Sequence, residues 1–143
     1  NTVHGNCFWP TYELLDNYKN IATRLKNNYH RYPALIPAYT HMHKKAPKKV
    51  DKLTEAYTST THTLSWRSNA DKYDPTTAQY YVVYRFAKGE KENLDNSQFI
   101  VAITRDTAVV LPYEGGNKEY KYVVTAVDAF HNESKGKSKK IKL

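Results

Sequence analysis

Cysteine is nearly absent from this chain of 143 residues: Cys7 stands alone, so no internal disulfide can staple the fold. In the apolar run Cys7-Phe8-Trp9 it reads as a small packed residue rather than a nucleophile. Glycine (5) and methionine (1) are scarce, which with the abundance of tyrosine argues against a helical bundle. No stretch approaches the ~18 apolar residues of a membrane span, and the start lacks a basic segment followed by an apolar one. The first residue is Asn1 rather than methionine, so we expect a trimmed or excised piece whose targeting signal was lost with whatever preceded it. Acidic residues are the minority, 14 against 22 basic ones, for a net charge of +8. Neither a helix-turn-helix nor an RNA-binding signature accompanies that charge, so nucleic acid is not an expected partner. The lysines at 44, 45, 48 and 49, and again at 135, 137, 139, 140 and 142, form a solvated surface or a weak attractor of polyanions.

Tyrosine, by contrast, is abundant, with 13 copies favouring strands with amphipathic faces over a helical bundle. The most informative stretch is Lys118–Ser134, KEYKYVVTAVDAFHNES, which opens with a strand. Tyr120, Tyr122, Val124 and Ala126 occupy alternate positions, which seals one face against a core. The intervening Lys121, Val123, Thr125 and Val127 are only partly polar, so a second layer or a neighbouring module is expected to cover that face as well.

Taken in order, the chain opens with NTVHGNCFWP, after which Thr11 reads as a helix N-cap with Glu13 in the first turn. Leu15, Tyr18, Ala22, Leu25 and Tyr29 follow at helical spacing and predict an amphipathic helix over 12–29, ending before Pro33. Tyr32–Pro37 reads as an extended apolar connector. Residues 38–49, AYTHMHKKAPKK, are polar and basic, and the domain boundary is placed there: 1–45 as an N-terminal segment and 46–143 as a separate domain. His41 and His43 could offer two imidazoles to a metal, but no third ligand stands at a recognisable spacing. Beyond Val50 the pattern is strands alone: Val50–Leu53, His62–Arg67, Gln79–Phe86, Phe99–Ile103, Ala108–Leu111, the Tyr120 strand, and Ser138–Leu143. Asp71 and Asp74 lie in the polar loop 68–75, where their spacing fits a turn better than a calcium loop. Seven short strands without helices between them predict a two-sheet sandwich.

Leu64-x-Trp66, Tyr81-x-Val83 and Tyr120-x-Tyr122-x-Val124-x-Ala126 ahead of Asp128 resemble a fibronectin type III module, and AVDAFHNES resembles the ending of bacterial modules of that type. The resemblance covers about residues 46–143. It implies a mainly β, immunoglobulin-like sandwich of seven strands preceded by one amphipathic helix, with Trp66 and Tyr81 between the sheets. It also implies a tyrosine corner at Tyr120, whose hydroxyl bonds back to upstream backbone. His131 stands where the family usually has glycine, and Leu111 to Tyr120 is a longer gap than usual.

VHGNCFWP, the helix and NNYHRYPALIPAY resemble the tail of the catalytic (β/α)8 barrel in bacterial family-10-like glycosyl hydrolases, in which a fibronectin-like module follows the barrel. That resemblance implies that residues 1–9 are the last barrel strand and 12–29 the last barrel helix. The chain would then be the C-terminal, non-catalytic accessory or spacer module of an extracytoplasmic protein, periplasmic, secreted or lipid-anchored. Its expected partner is the upstream barrel. The helix stripe is expected to pack on the sandwich or else to pair with another chain. Trp9 would lie near the sugar-binding end of such a barrel, or else serve as a packed anchor for the helix. No catalytic residue, metal or cofactor is expected, since the acidic residues form no pair in a cleft. An alternative is polysaccharide binding by outward tyrosines, with Tyr57, Tyr73, Tyr80, Tyr84 and Tyr113 as candidates; those same rings could simply form cross-strand pairs. The sequon Asn132-Glu133-Ser134 is read as a turn.

Overall fold

The computed structural model describes residues 11–58, 61–111 and 118–142. The chain divides into two compact units, Asn1–Pro33 and Ala34–Leu143.

Within the first unit the expected continuous helix is replaced by short turns. Helix α1 spans Tyr12–Leu15 and α2 spans Ile21–Arg24, with a 3-10 turn at Tyr18–Asn20 and a π-turn at Leu25–Tyr29. The interruption has a local cause. Asn17, Lys19 and Asn20 all have positive φ (49°, 49° and 61°), and asparagine enters that left-handed region at low cost. The Asn17 side chain then spans forward, accepting from the Thr23 amide at 3.1 Å and donating to the Thr23 hydroxyl at 2.8 Å. An asparagine that satisfies backbone in this way competes with helix formation. Thr11 makes no side-chain cap bond and has helical φ and ψ, so the chain starts α1 without the expected cap. The proposed barrel strand at 1–9 lies outside the described residues.

The second unit is a sandwich of seven antiparallel strands: β1 Asp51–Tyr57, β2 His62–Arg67, β3 Tyr80–Ala87, β4 Ile100–Thr104, β5 Ala108–Leu111, β6 Glu119–Val127 and β7 Lys137–Lys142. One sheet has the order β1-β2-β5 and the other β4-β3-β6-β7. The fourth strand, β4, pairs with β3 and not with β5, whereas in the constant-type immunoglobulin arrangement the fourth strand joins the sheet of the first, second and fifth. The long pairing of β3 with β6 sets Tyr81 opposite Ala126 and Val83 opposite Val124, placing both expected apolar rows on the inner face. Leu64, Trp66, Tyr81, Val83, Tyr122, Val124 and Ala126 are buried together there, and Tyr120 packs against them half-buried. Trp66 meets Tyr81 edge-on, centroids 5.4 Å apart, an arrangement favoured by the ring quadrupoles. The expected turn at Gly115–Asn117 lies outside the described residues.

The outer face of the four-stranded sheet is covered as well. Val82, Tyr84, Phe86, Ile100, Val123 and Val127 form a second buried cluster, over which Leu35, Leu94 and Phe99 pack. Its lid has two parts: the loop ending in the turn Ser97–Phe99, and the connector from Ala34, which crosses the sheet as a strap. The strap is fastened by the Tyr39 amide, donating to the Phe130 carbonyl at 2.8 Å, and by the Asn132 side chain, donating to the His43 carbonyl at 3.2 Å. The division of the chain therefore falls at Pro33–Ala34, ahead of the compositional break at 38–49. The connector's apolar start and the first residues of the polar, basic stretch are thus both bound to the sandwich. Strand β7, a border strand, carries four lysines in KSKKIK, with only Ile141 buried.

Candidate functional site

The motif AVDAFHNES forms a tightly bonded loop between β6 and β7. Asp128 is buried, its Oδ1 accepting from the amides of Phe130 (2.9 Å) and Asn132 (2.8 Å) and its Oδ2 from the Asn132 side chain (3.0 Å). The Ala126 amide donates to Ser134 Oγ at 2.9 Å, closing the other side. Asn132 is itself buried with its amide group engaged twice, so the sequon serves as a turn and its side chain is not presented to solvent. His131 takes a positive φ of 62°, the left-handed conformation that glycine usually supplies. Its ring is held by Tyr39, edge-on at 5.0 Å, and by Tyr80, whose hydroxyl lies 3.4 Å from Nδ1.

Next to His131, Glu133 Oε1 accepts two hydroxyls, from Tyr84 at 2.7 Å and Thr125 at 2.6 Å. Burial, reinforced by that bond to Glu133, pushes the Tyr84 hydroxyl far up from its ordinary value. The Tyr80 hydroxyl is also pushed up, by burial first and then by the charges of Glu133 and Asp128.

The tyrosines named as sugar contacts have very different surroundings. Tyr84 is wholly buried on the outer face, covered by the strap and the 94–99 loop, and cannot stack on a ligand. Tyr80 is half-buried at the edge of a groove. Tyr73 is exposed, with the Lys72 ammonium 4.7 Å from its ring centre, and Tyr57 is exposed beside His62. Trp9 and Tyr113 lie outside the described residues.

Two clefts flank the strap. One, of about 380 Å³, is lined by Leu35, Ile36, Tyr80, Ile103, Arg105 and His131, among others. The other, of about 470 Å³, contains Asp95 and Glu133, but the Glu133 oxygen named above is already occupied by two hydroxyls. A third cleft, of about 410 Å³, lies between the basic linker and the 68–78 loop and is lined by His43, Lys45, Lys48 and Asp74. Asp71 and Asp74 act as turn acceptors, Asp71 for the Tyr73 amide (2.9 Å) and Asp74 for the Thr76 amide (2.9 Å) and hydroxyl (2.7 Å). The Thr76 bonds hold the Asp74 carboxyl below its ordinary range. Of the His41–His43 pair, the His43 ring packs on Phe130 and the His41 ring on Tyr39. Among the described residues no three histidine, cysteine or acidic side chains gather as a metal cluster.

Compared with known proteins, the sequence is 28% identical over 146 aligned residues to the glycosyl hydrolase YngK of Bacillus subtilis. The alignment takes in 98% of this chain but only 27% of that protein's length. No family model matches the sequence. Among solved structures, domains A168–A170 of titin match with a TM-score of 0.52 at 18% identity, over 68% of this chain and 32% of that one. The titin kinase with its flanking domains matches with a TM-score of 0.52 at 17% identity, over 68% of this chain and 17% of that one. The fold is therefore an immunoglobulin- and fibronectin-like β-sandwich.

Proposed function

We propose that this chain is a non-catalytic accessory module of a bacterial, extracytoplasmic glycosyl hydrolase-like protein, a fibronectin type III-like sandwich joined to the end of a family-10-like barrel. The observation that carries the reading is the similarity along 98% of the chain to a glycosyl hydrolase that is much longer. The doubly covered sheet is consistent with it, since Asp128 and Glu133, the carboxylates of the loop after β6, are engaged in structural hydrogen bonds. Glycoside hydrolysis usually requires two carboxylates free to flank the scissile bond. The module's main partner is then the barrel, which the apolar residues of the first unit, such as Leu15 and Tyr29, would meet; without it they would pair with a second copy.

Two measurements test this. Sequencing the reading frame upstream of Asn1 should run into barrel-encoding sequence with paired acidic residues, and a start codon immediately before Asn1 would overturn the proposal. The purified chain should release no reducing sugar from a panel of polysaccharides; release would assign it catalysis of its own.

A second role, glycan binding by the sandwich, is favoured by the groove beside Tyr80, where a half-buried ring lies next to polar groups.

A further inference from the structure

The register of the four-stranded sheet determines what the groove beside Tyr80 presents. Strand β3 directs Tyr80, Val82, Tyr84 and Phe86 to the outer face, and β4 lies antiparallel to it with Ile103 opposite Val82. That register puts Ile103 on the same face, and Arg105, just past the end of β4, lines the groove beside it. The strap supplies the opposite wall through Leu35 and Ile36, and His131 closes one end. Ile36 and Ile103 remain substantially exposed, so the walls are apolar and open to solvent. The Arg105 guanidinium lines this groove, and among the described residues no carboxylate forms an ion pair with it.

An unpaired guanidinium at the rim of an apolar groove calls for a ligand with a carboxylate on an apolar-faced body. Arginine reads carboxylates through two parallel N–H donors, a geometry that favours them over isolated hydroxyls. A sugar ring offers such an apolar face through its C–H bonds, and tyrosine packs against it while its hydroxyl stays bonded. The net charge of +8 raises the local concentration of any polyanionic chain. We infer that this groove is a binding subsite for a uronic-acid residue of an acidic glycan, with Arg105 holding the carboxylate, Tyr80 and Ile103 against the ring, and His131 at the hydroxyls. The inference rests on the glycan-binding reading above and specifies its ligand.

The test is an amide NMR titration of the full chain with trigalacturonate, its methyl ester, neutral xylotriose and heparin. Trigalacturonate is expected to shift the signals of Ile103, Thr104, Arg105 and His131, and the methyl ester to bind at least tenfold more weakly. Arg105→Gln should remove that preference, whereas Lys140→Gln with Lys142→Gln should leave the affinity within twofold. Equal binding of acid and ester would overturn the carboxylate assignment while leaving the groove a sugar site. An unperturbed groove with every glycan, xylotriose included, would sink the glycan-binding reading along with it. Shifts centred on β7, matched by heparin and lost in the lysine variants, would mean nonspecific attraction of polyanions and would also overturn the inference.

Discussion

The Tyr84 hydroxyl donates to Glu133 Oε1 at 2.7 Å, tying the middle of β3 to the loop after β6 across 49 positions of sequence. The ring is wholly buried, so removing the hydroxyl leaves packing intact and subtracts one hydrogen bond. Tyr84→Phe should lower stability by about 1–2 kcal/mol in urea unfolding at neutral pH. The same hydroxyl titrates far above its unfolded value of 10.0, so its contribution is complete below pH 10 and declines as pH rises beyond it, when only the unfolded chain ionises. The variant's stability should therefore fall less steeply between pH 10 and pH 11 than the parent's, read by repeating the urea curves across that window.

Trp66 provides a second measure of the inner core. Its indole nitrogen is buried without a hydrogen-bond partner among the described residues, while its ring lies edge-on to Tyr81. Trp66→Ala should cost about 3–5 kcal/mol through the cavity it leaves. Trp66→Phe, which keeps a ring against Tyr81 and removes the unmatched donor, should cost less than half of that in the same denaturation assay.

Gly136, at the entrance to β7, has no room for a side chain. A methyl group there would overlap Val123 Cγ1, and Val123 is a buried β-branched residue with few alternative rotamers. Gly136→Ala should destabilise the sandwich by about 1–3 kcal/mol. Adding Val123→Ala should cost less in that background than in the parent, a coupling visible in a double-mutant cycle.

Where the sandwich begins can be tested by truncation. A chain starting at Ala34 retains Leu35 over the outer cluster and the Tyr39 bond to Phe130, and one starting at Ala46 loses both. The shorter chain should be less stable by about 1–3 kcal/mol, with the second cluster's amides exchanging faster. Equal midpoints for the two would mean that the strap adds nothing to the fold.

Much of the architecture is legible in the sequence because strand periodicity is a local property. Leu64 and Trp66, Tyr81 and Val83, and the alternate residues from Tyr120 to Ala126 need no knowledge of distant partners to be assigned to one face. What escapes the pattern depends on contacts across the chain. The stripe from Leu15 to Tyr29 has helical spacing, but spacing is blind to Asn17 reaching Thr23 and to three left-handed residues between the turns. The half of β3 read as outward turned out to be covered, and a signal for it was present: Tyr80-Tyr81-Val82-Val83-Tyr84 is an unbroken apolar run, the pattern of a strand buried on both faces. The Tyr80–Ile103–Arg105 groove depends on the β3–β4 register and the path of the strap, neither of which spacing alone supplies.

The four lysines of β7 stand along the border of the sheet, whose outer edge pairs with no other strand among the described residues. A second molecule offering the same strand in antiparallel fashion would bring ammonium groups face to face, and the repulsion discourages cross-chain ladder growth. Acylation of these amines would erase that protection without disturbing the backbone, converting a guarded margin into a seam along which molecules could polymerise.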